Sequence, residues 1–216
     1  PGNSCLSALA QGRMGTIEQP INNSKGCGGV MRVAPVGLFL HKYPEEAMDH
    51  GMKIAALTHG HPTGYISAGA FAVIIAELIN GKTLAESLDS SFEMLRQYDT
   101  NRETTLALKK AIELANTDID TSKAICKLGE GWIAEEALSI AIYCALKEKD
   151  FKKALQLAVN HDGDSDSTGA ICGNIIGAKG GMEIIPQSWL SQIELKELIL
   201  DMAQKLYQVN DYFKML

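Results

Sequence analysis

Residues 62–79 read PTGYISAGAFAVIIAELI, and this stretch decides the fold. Its apolar and small side chains cover most of a helical circumference, which is typical of a helix that is buried on all sides. The small-residue-rich run Ile66 to Ala76 carries no charge, ends at Glu77 and is shorter than the roughly 20 apolar residues that a membrane span requires. Asn80-Gly81 favours the end of the helix. We therefore predict a central buried helix over 62–79, and we expect no membrane partner.

Helical spacing of apolar residues continues on both sides of this stretch. Steps of three and four residues predict further helices over 30–40, 44–58, 84–98, 101–115, 122–128, 135–148, 151–159, 167–178 and 195–213. Thr83 and Glu86 have the spacing of a capping box. Alternation of apolar and polar residues is never longer than four residues, so the sequence offers no convincing β-strand. We predict an all-α fold, organised as a single compact multi-helix domain over residues 1–216.

The charge balance and the cysteines narrow the range of partners and compartments. Lys and Arg number 20 and Asp and Glu number 26, which gives a net charge of −6. A net-negative surface without a basic cluster repels a phosphate backbone, so we expect no nucleic-acid partner. The five cysteines are scattered and include no C-x-x-C pair, which indicates reduced thiols. We therefore expect a cytoplasmic location.

The sharpest local feature is the run His161-Asp162-Gly163-Asp164-Ser165-Asp166-Ser167-Thr168. Its three aspartates repel one another unless a cation or helix amides neutralise them, and Mg²⁺ prefers such oxygen clusters. A hydroxyl from Ser167 or Thr168 would add to the ligand set. Glycines at 169, 173 and 177 strip one helical face of side chains, so we expect a backbone or a ligand to approach there. A structural alternative stays open, in which Asp164 or Asp166 only caps the helix.

Two other interpretations of this run are weaker. An EF-hand loop that began at Asp162 would need glycine at its sixth position and glutamate at its twelfth, where the chain has Ser167 and Gly173. Residues 164–168 also fit the D-x-D-x-T motif of haloacid-dehalogenase-type phosphotransferases. That motif follows an apolar strand, whereas residues 154–158 have helical spacing. The phosphotransferase therefore stays a weak alternative.

A glycine-rich segment and a histidine corner are two further candidate sites. Backbone N–H groups in the segment Gly26-Cys27-Gly28-Gly29 can hold an anion such as a phosphate, although a plain turn before a helix gives the same pattern. Cys27 could act as a nucleophile, but no His-Asn/Asp pair can be assigned to it. In Thr58-His59-Gly60-His61 the two histidines cannot share a helix face, and no other Cys or His has zinc-site spacing. His59 is either structural or bonded to a substrate.

Taken together in this order, these segments resemble the ADP-ribosylglycohydrolase family, of the dinitrogenase-reductase-activating-glycohydrolase type. The segments that carry the resemblance are 1–3, 24–35, 56–62, 130–146 and 163–178, so it extends over almost the whole chain. The resemblance implies an all-α fold around a cleft that holds two Mg²⁺ or Mn²⁺ ions. It also implies hydrolysis of the glycosidic bond between ADP-ribose and an acceptor, often a protein arginine. The implied partner is ADP-ribose or an ADP-ribosylated protein.

The resemblance also implies a role for individual residues. Asp164 and Asp166 match the catalytic metal-ligand carboxylates of the family, and Ser167 matches its hydroxyl ligand. The implied substrate-binding residues are Asn3, Gly26, Cys27, Gly28, Gly29 and His59.

The sequence departs from the family pattern in two places. Gly26-Cys27-Gly28 stands where many members read Gly-Asn-Gly, so an asparagine contact is lost. The family also has an acidic segment with a Thr/Ser-Asp-Asp motif upstream of Pro1, and Asp118-Ile119-Asp120-Thr121 has the wrong order and position to replace it. We therefore expect an N-terminally incomplete chain with half a metal site, weak metal affinity, little turnover and exposed apolar core. The alternative is a non-catalytic ADP-ribose-binding or structural member of the same fold.

Overall fold

The structure, a computed structural model, describes residues 2–213, and for residues 210–213 only the backbone. Pro1, the first residue of the segment that carries the resemblance, lies outside the described residues. Within them the chain forms twelve α-helices, which are α1 (Asn3–Leu9), α2 (Ala34–Phe39), α3 (Pro44–Ala56), α4 (Pro62–Ile79), α5 (Leu84–Leu95), α6 (Arg102–Ala115), α7 (Thr121–Leu128), α8 (Ala134–Lys147), α9 (Phe151–Val159), α10 (Ser165–Gly180), α11 (Gln187–Leu190) and α12 (Lys196–Phe213). Short 3₁₀ turns cover Val30–Arg32 and Met182–Ile184. The described part of the chain contains one isolated β-bridge, between Gly26 and Ile133, and no β-strand. The all-α prediction is confirmed.

Helix α4 is the centre of the fold, as its sequence predicts. Its large side chains Ile66, Phe71 and Ile74 are at most 1% exposed, and α2, α3, α5, α8 and α10 pack against it. By length and composition α4 could cross a membrane, but 83% of it is buried inside the protein. Burial of that many apolar side chains is the main favourable contribution to folding here.

Two glycines allow neighbouring helices to cross α4 at close range. A methyl group at Gly51 of α3 would lie 3.0 Å from the Cα atom of Gly69 and 3.0 Å from the Cβ atom of Ala72. A methyl group at Gly37 of α2 would meet the carbonyl oxygen of Ala72. Because helix backbones approach each other this closely, α2 and α3 are held rigidly, and α3 ends at the corner that carries His59.

Most predicted helices have the expected bounds, and the differences have local causes. Thr83 and Glu86 form the predicted capping box at the start of α5. The predicted helix 30–40 is divided, because Val33 leaves helical geometry with φ −96° and ψ 0°, and Pro35 lies in the first turn of α2. Helices α1 and α11 escaped prediction, since seven and four residues are too short for a clear apolar period.

The expected close approach along α10 is confirmed at one of its three glycines. A methyl group at Gly169 would lie 2.6 Å from Val159 Cγ1, so α9 presses on the helix there. At Gly173 it would make an ordinary contact of 3.5 Å with Leu155, and at Gly177 it would meet open space. No other part of the described chain therefore approaches α10 closely at Gly177.

Candidate functional site

An open cleft of about 550 Å³ lies where the start of α1, the glycine-rich loop, the loop before α8 and the start of α10 meet. The residues that line it are Gly2, Asn3, Ser4, Cys5, Gly26, Cys27, Gly28, Met31, His59, Trp132, Asp164, Asp166 and Ser167. The structure therefore brings together all but one of the site residues that the family resemblance implies. The exception is Gly29, which packs against α3, where a methyl group on it would lie 3.2 Å from Ala55 Cβ.

Asp164 is the N-cap of α10, and it also faces the cleft. Its Oδ1 atom accepts a hydrogen bond from the Ser167 backbone N–H at 3.4 Å. Its Oδ2 atom accepts bonds from the Ser167 hydroxyl at 3.1 Å and from the Cys27 thiol at 2.7 Å. The side chain is only 6% exposed. The structural alternative of the sequence analysis is thus correct for Asp164, and the same carboxylate lines the cleft.

Asp166 lies in the first turn of α10, close to Asp164. The interaction with the Asp164 side chain raises the pKa of Asp166. Burial acts to raise the pKa of Asp164 as well, but the bonds from Cys27 and Ser167 and the interaction with Asp166 together hold it below its ordinary value. Two carboxylates this close repel each other when both are ionised, and a bound cation would relieve that repulsion.

Cys27 is a hydrogen-bond donor here and not an activated nucleophile. Burial and the bond to Asp164 raise the pKa of the Cys27 thiol to about 12. Because a nucleophilic cysteine needs a lowered pKa, this environment excludes a thiolate at neutral pH. The thiol also lies 3.4 Å from the Ser167 hydroxyl. The residue that replaces the family's asparagine therefore connects the glycine-rich loop to α10.

The glycine-rich loop is anchored at its start and has free N–H groups at its centre. The Lys25 ammonium pairs with Glu135 at 2.5 Å and with Glu103 at 2.8 Å. The Cys27 N–H donates to the Trp132 carbonyl oxygen at 3.0 Å. Among the described hydrogen bonds, none has the N–H of Gly28 or Gly29 as donor. A loop that is fixed but keeps unused N–H groups suits an anion.

His59 lies directly beneath this loop and is 1% exposed. A methyl group at Gly26 would be 3.3 Å from His59 Nε2, and one at Gly28 would be 3.2 Å from His59 Cε1. Burial, and then the positive charge of Arg32, lower the pKa of His59 to about 4. The imidazole is therefore neutral at pH 7, and glycines at positions 26 and 28 let the loop lie against it without displacing it.

Asn3 lines the cleft from the first turn of α1. That helix is attached to the glycine-rich region by a bond of 2.8 Å between the hydroxyls of Ser4 and Ser24. The exposed side chain of Asn3 is therefore free to bind a polar ligand.

The carboxylates and hydroxyl at the start of α10 fit one side of a Mg²⁺ or Mn²⁺ site. Asp164, Asp166 and Ser167 offer only oxygen donors, which such hard cations prefer. In the described part of the chain no group of three or more His, Cys, Asp or Glu side chains could hold a metal ion. Asp120, from the nearest acidic alternative, caps α7 instead. The donors present would thus have to be completed by water, substrate or other protein groups.

Trp132 also lines the cleft, although no sequence pattern indicates it as a site residue. It is 57% exposed, and its indole N–H donates to the Glu130 carboxylate at 3.1 Å. Its loop is connected to the start of α10, because the Asp164 N–H donates to the Glu130 carbonyl oxygen at 2.8 Å. In the sequence, Gly129 and Gly131 on either side of Glu130 indicate a loop but no ligand site.

The D-x-D-x-T motif does not have the structural surroundings that a phosphotransferase requires. Its Asp164 begins a helix and follows α9, not a strand. Its Thr168 hydroxyl is buried and donates to the carbonyl oxygen of Ala158 at 2.6 Å. This alternative is therefore excluded.

The chain is similar to known proteins of one family. The family model described as ADP-ribosylglycohydrolase matches residues 1–212. The chain is 28% identical over 213 residues to the ADP-ribosylhydrolase ARH3 of Bos taurus, with 86% of this chain and 58% of that protein covered. It is 24% identical over 198 residues to the ADP-ribosyl-[dinitrogen reductase] glycohydrolase of Rhodospirillum rubrum, with 90% of this chain and 60% of that protein covered. A solved ADP-ribosylglycohydrolase-related protein complex has a TM-score of 0.77 and 26% identity, over 97% of this chain and 69% of that one. The chain thus spans about three fifths of the length of these two relatives.

Proposed function

The chain belongs to the ADP-ribosylglycohydrolase family, and from this premise we propose that it is a metal-dependent hydrolase of ADP-ribose conjugates. The proposed reaction cleaves the glycosidic bond between ADP-ribose and an acceptor such as a protein arginine. The observation that carries the proposal is the cleft, in which an oxygen-donor cluster (Asp164, Asp166 and Ser167) and a glycine-rich loop above His59 face one ligand-sized space. The names of the two relatives above support the same class of substrate.

Some residues of the cleft would bind the substrate, and others would take part in bond cleavage. The N–H groups at the centre of the glycine-rich loop would hold the phosphates of ADP-ribose. The amide of Asn3 would bind a polar group of the substrate from the first turn of α1. Asp164 and Asp166 would face the anomeric carbon, where the transition state is oxocarbenium-like and nearby negative charge stabilises it.

The residues that would hold Mg²⁺ or Mn²⁺ are Asp164, Asp166 and Ser167. When bound, the metal would supply orientation of the ribose hydroxyls and activation of water. The chain itself would keep Asp164 in place through the Cys27 thiol and the Ser167 hydroxyl, both within 3.1 Å of its Oδ2 atom.

A second candidate function is binding of ADP-ribose without catalysis. The specific observation in its favour is that the described part of the chain holds no metal-binding group of three His, Cys, Asp or Glu side chains. The glycine-rich loop and His59 would bind the ligand in either case. For both candidates we propose a reducing, cytoplasm-like location, since the five cysteines are free thiols.

Binding and hydrolysis measured on the same protein distinguish the candidates. Calorimetry would follow ADP-ribose binding with Mg²⁺, with Mn²⁺ and with a chelator, and chromatography would follow release of ADP-ribose from an ADP-ribosylated arginine substrate. A hydrolase releases ADP-ribose only with metal, and Asp164→Asn abolishes the release without loss of helix. Asp118→Asn, an exposed residue outside the cleft, is the matched control. Binding without release supports the second candidate, and no binding under any condition contradicts both.

A further inference from the structure

His59 is connected to the protein surface by a short hydrogen-bonded chain. The Arg32 guanidinium donates to the carbonyl oxygen of Ile54 at 2.7 Å and to the Thr58 hydroxyl oxygen at 2.8 Å. The Thr58 hydroxyl in turn lies 2.8 Å from His59 Nδ1. Thr58 and His59 are both buried, so this geometry is not averaged by solvent.

The chemistry of the three groups fixes the direction of each hydrogen bond. A guanidinium has no acceptor, so the Thr58 oxygen accepts from Arg32. The hydroxyl hydrogen of Thr58 then needs an acceptor of its own, and His59 Nδ1 is the only other partner among its described bonds. A neutral imidazole that accepts at Nδ1 carries its proton at Nε2.

The Nε2 atom is the edge of His59 that faces the glycine-rich loop. A methyl group at Gly26 would lie 3.3 Å from it, and one at Gly28 would lie 3.4 Å from it. His59 itself lines the cleft. An N–H group at Nε2 therefore lies against the glycine-rich loop, in the cleft that Gly26, Gly28 and His59 line together.

We propose that Arg32 and Thr58 are positioning residues that hold His59 as its neutral Nε2–H tautomer, so that it donates a hydrogen bond to a phosphate oxygen of ADP-ribose at the glycine-rich loop. The identity of the ligand rests on the proposed function, whereas the tautomer does not. The low pKa of His59, caused by burial and by Arg32, agrees with a donor that stays neutral while it binds an anion.

The tautomer is measured directly by nitrogen NMR of the full chain labelled with ¹⁵N-histidine, in the absence of ligand and at pH 8. We expect the shift of an unprotonated nitrogen at Nδ1 of His59 and of a protonated nitrogen at Nε2, with the signals assigned by their loss in His59→Gln. His50 is an internal reference for the opposite tautomer, because its Nδ1 atom faces the Glu46 carbonyl oxygen at 3.0 Å. A protonated Nδ1 in His59 would overturn the proposal.

Variants of Thr58 test the positioning role. Thr58→Val keeps the shape of the side chain but has no hydroxyl, so we expect His59 to populate both tautomers, and Thr58→Ser to restore the single tautomer. Thr105→Val, which removes a hydroxyl bonded to Asn101 on α6, is the matched control and should leave the His59 signals unchanged. Unchanged His59 signals in Thr58→Val would overturn the role, and the wild-type measurement decides the tautomer even if that variant does not fold.

Calorimetry with ADP-ribose as the probe tests the donor role. We expect His59→Phe, which removes the donor, to weaken binding about tenfold, the size of one hydrogen bond to a charged group at the low end of its range. Thr58→Val, in which the donating tautomer stays partly populated, should weaken binding only about twofold, and Thr58→Ser should bind as the wild type does. The expected tautomer with unchanged affinity in His59→Phe would overturn the donor role alone. The expected tautomer in a wild-type chain that does not bind ADP-ribose would overturn the proposed function and, with it, the ligand of His59.

Discussion

Replacement of Asp164 by alanine tests whether one carboxylate both stabilises α10 and serves the cleft. The change removes the N-cap of α10 together with the acceptor of the Cys27 thiol and the Ser167 hydroxyl. Loss of an aspartate N-cap costs about 1 kcal/mol. Hydrogen bonds to a charged acceptor contribute about 1.5–3 kcal/mol each, and the lower end applies because the cleft is open to water.

We therefore expect Asp164→Ala to lower the free energy of unfolding by about 3 kcal/mol, since the cap and the two side-chain bonds are not fully additive. Asp164→Asn keeps a good N-cap side chain and loses only the charge, so about 1–2 kcal/mol should be lost. Asp166→Asn should be neutral or stabilising, because it removes the exposed carboxylate that crowds Asp164.

The assay is urea unfolding followed by far-ultraviolet circular dichroism at pH 7 with a chelator present. Asp118→Ala is the control and should unfold within about 0.5 kcal/mol of the wild type. The dependence on urea should keep the same slope in all variants, since none changes the surface exposed on unfolding. A value for Asp164→Ala within about 0.5 kcal/mol of the wild type would refute the reasoning about this carboxylate. Addition of Mn²⁺ should then stabilise the wild type and fail to stabilise Asp164→Asn or Asp166→Asn.

Three further predictions concern His59 and the glycines. The pKa of His59 is lowered from 6.5 to about 4, so its contribution to stability is present above pH 6.5 and is lost as the pH falls towards 4, by an amount on the order of 2–3 kcal/mol. His59→Gln should flatten that part of the curve of unfolding free energy against pH. An unchanged curve would contradict the burial argument. Gly28→Ala places a methyl group 3.2 Å from His59 Cε1 and 3.3 Å from the Cys5 sulfur. Calorimetry should therefore show about tenfold weaker ADP-ribose binding, while the helix content stays intact. Wild-type affinity would mean that the loop does not hold the ligand. Gly177→Ala meets no atom within 4 Å and should raise the free energy of unfolding by about 0.5–1 kcal/mol in the same urea assay; a loss of stability would contradict the open space described there.

The helices that the sequence predicts best are those whose burial has the same period as their apolar residues. Helix α4 has the predicted bounds because its sequence is apolar all round and its surroundings bury it all round. The predicted helix 30–40 is divided, and the spacing of its apolar residues does not reveal the cause. Val33 leaves helical dihedral angles ahead of Pro35, although its side chain is fully buried in the core.

The candidate site is predictable where its residues are neighbours in sequence and unpredictable where they converge from a distance. Asp164, Asp166 and Ser167 lie within one helical turn, so their shared chemistry is visible in the sequence. Cys27 meets Asp164 across 137 residues. Trp132 arrives in the cleft from a loop whose composition also suits a packed corner. No local pattern encodes such meetings, and only the family resemblance placed these segments near one site.

Capping and ligand binding, which the sequence presents as alternatives, are compatible in Asp164 because a carboxylate has two oxygen atoms. Its Oδ1 atom satisfies an N–H group at the start of α10, and its Oδ2 atom accepts from the Cys27 and Ser167 side chains that line the cleft. Asp166 is exposed in the first turn of α10, where a negative charge suits the helix dipole, but the neighbouring Asp164 side chain raises its pKa. A bound dication would turn the repulsion between the two carboxylates into attraction. The closeness of the two carboxylates at the cleft, more than the capping role of Asp164, therefore supports the proposed metal-dependent function.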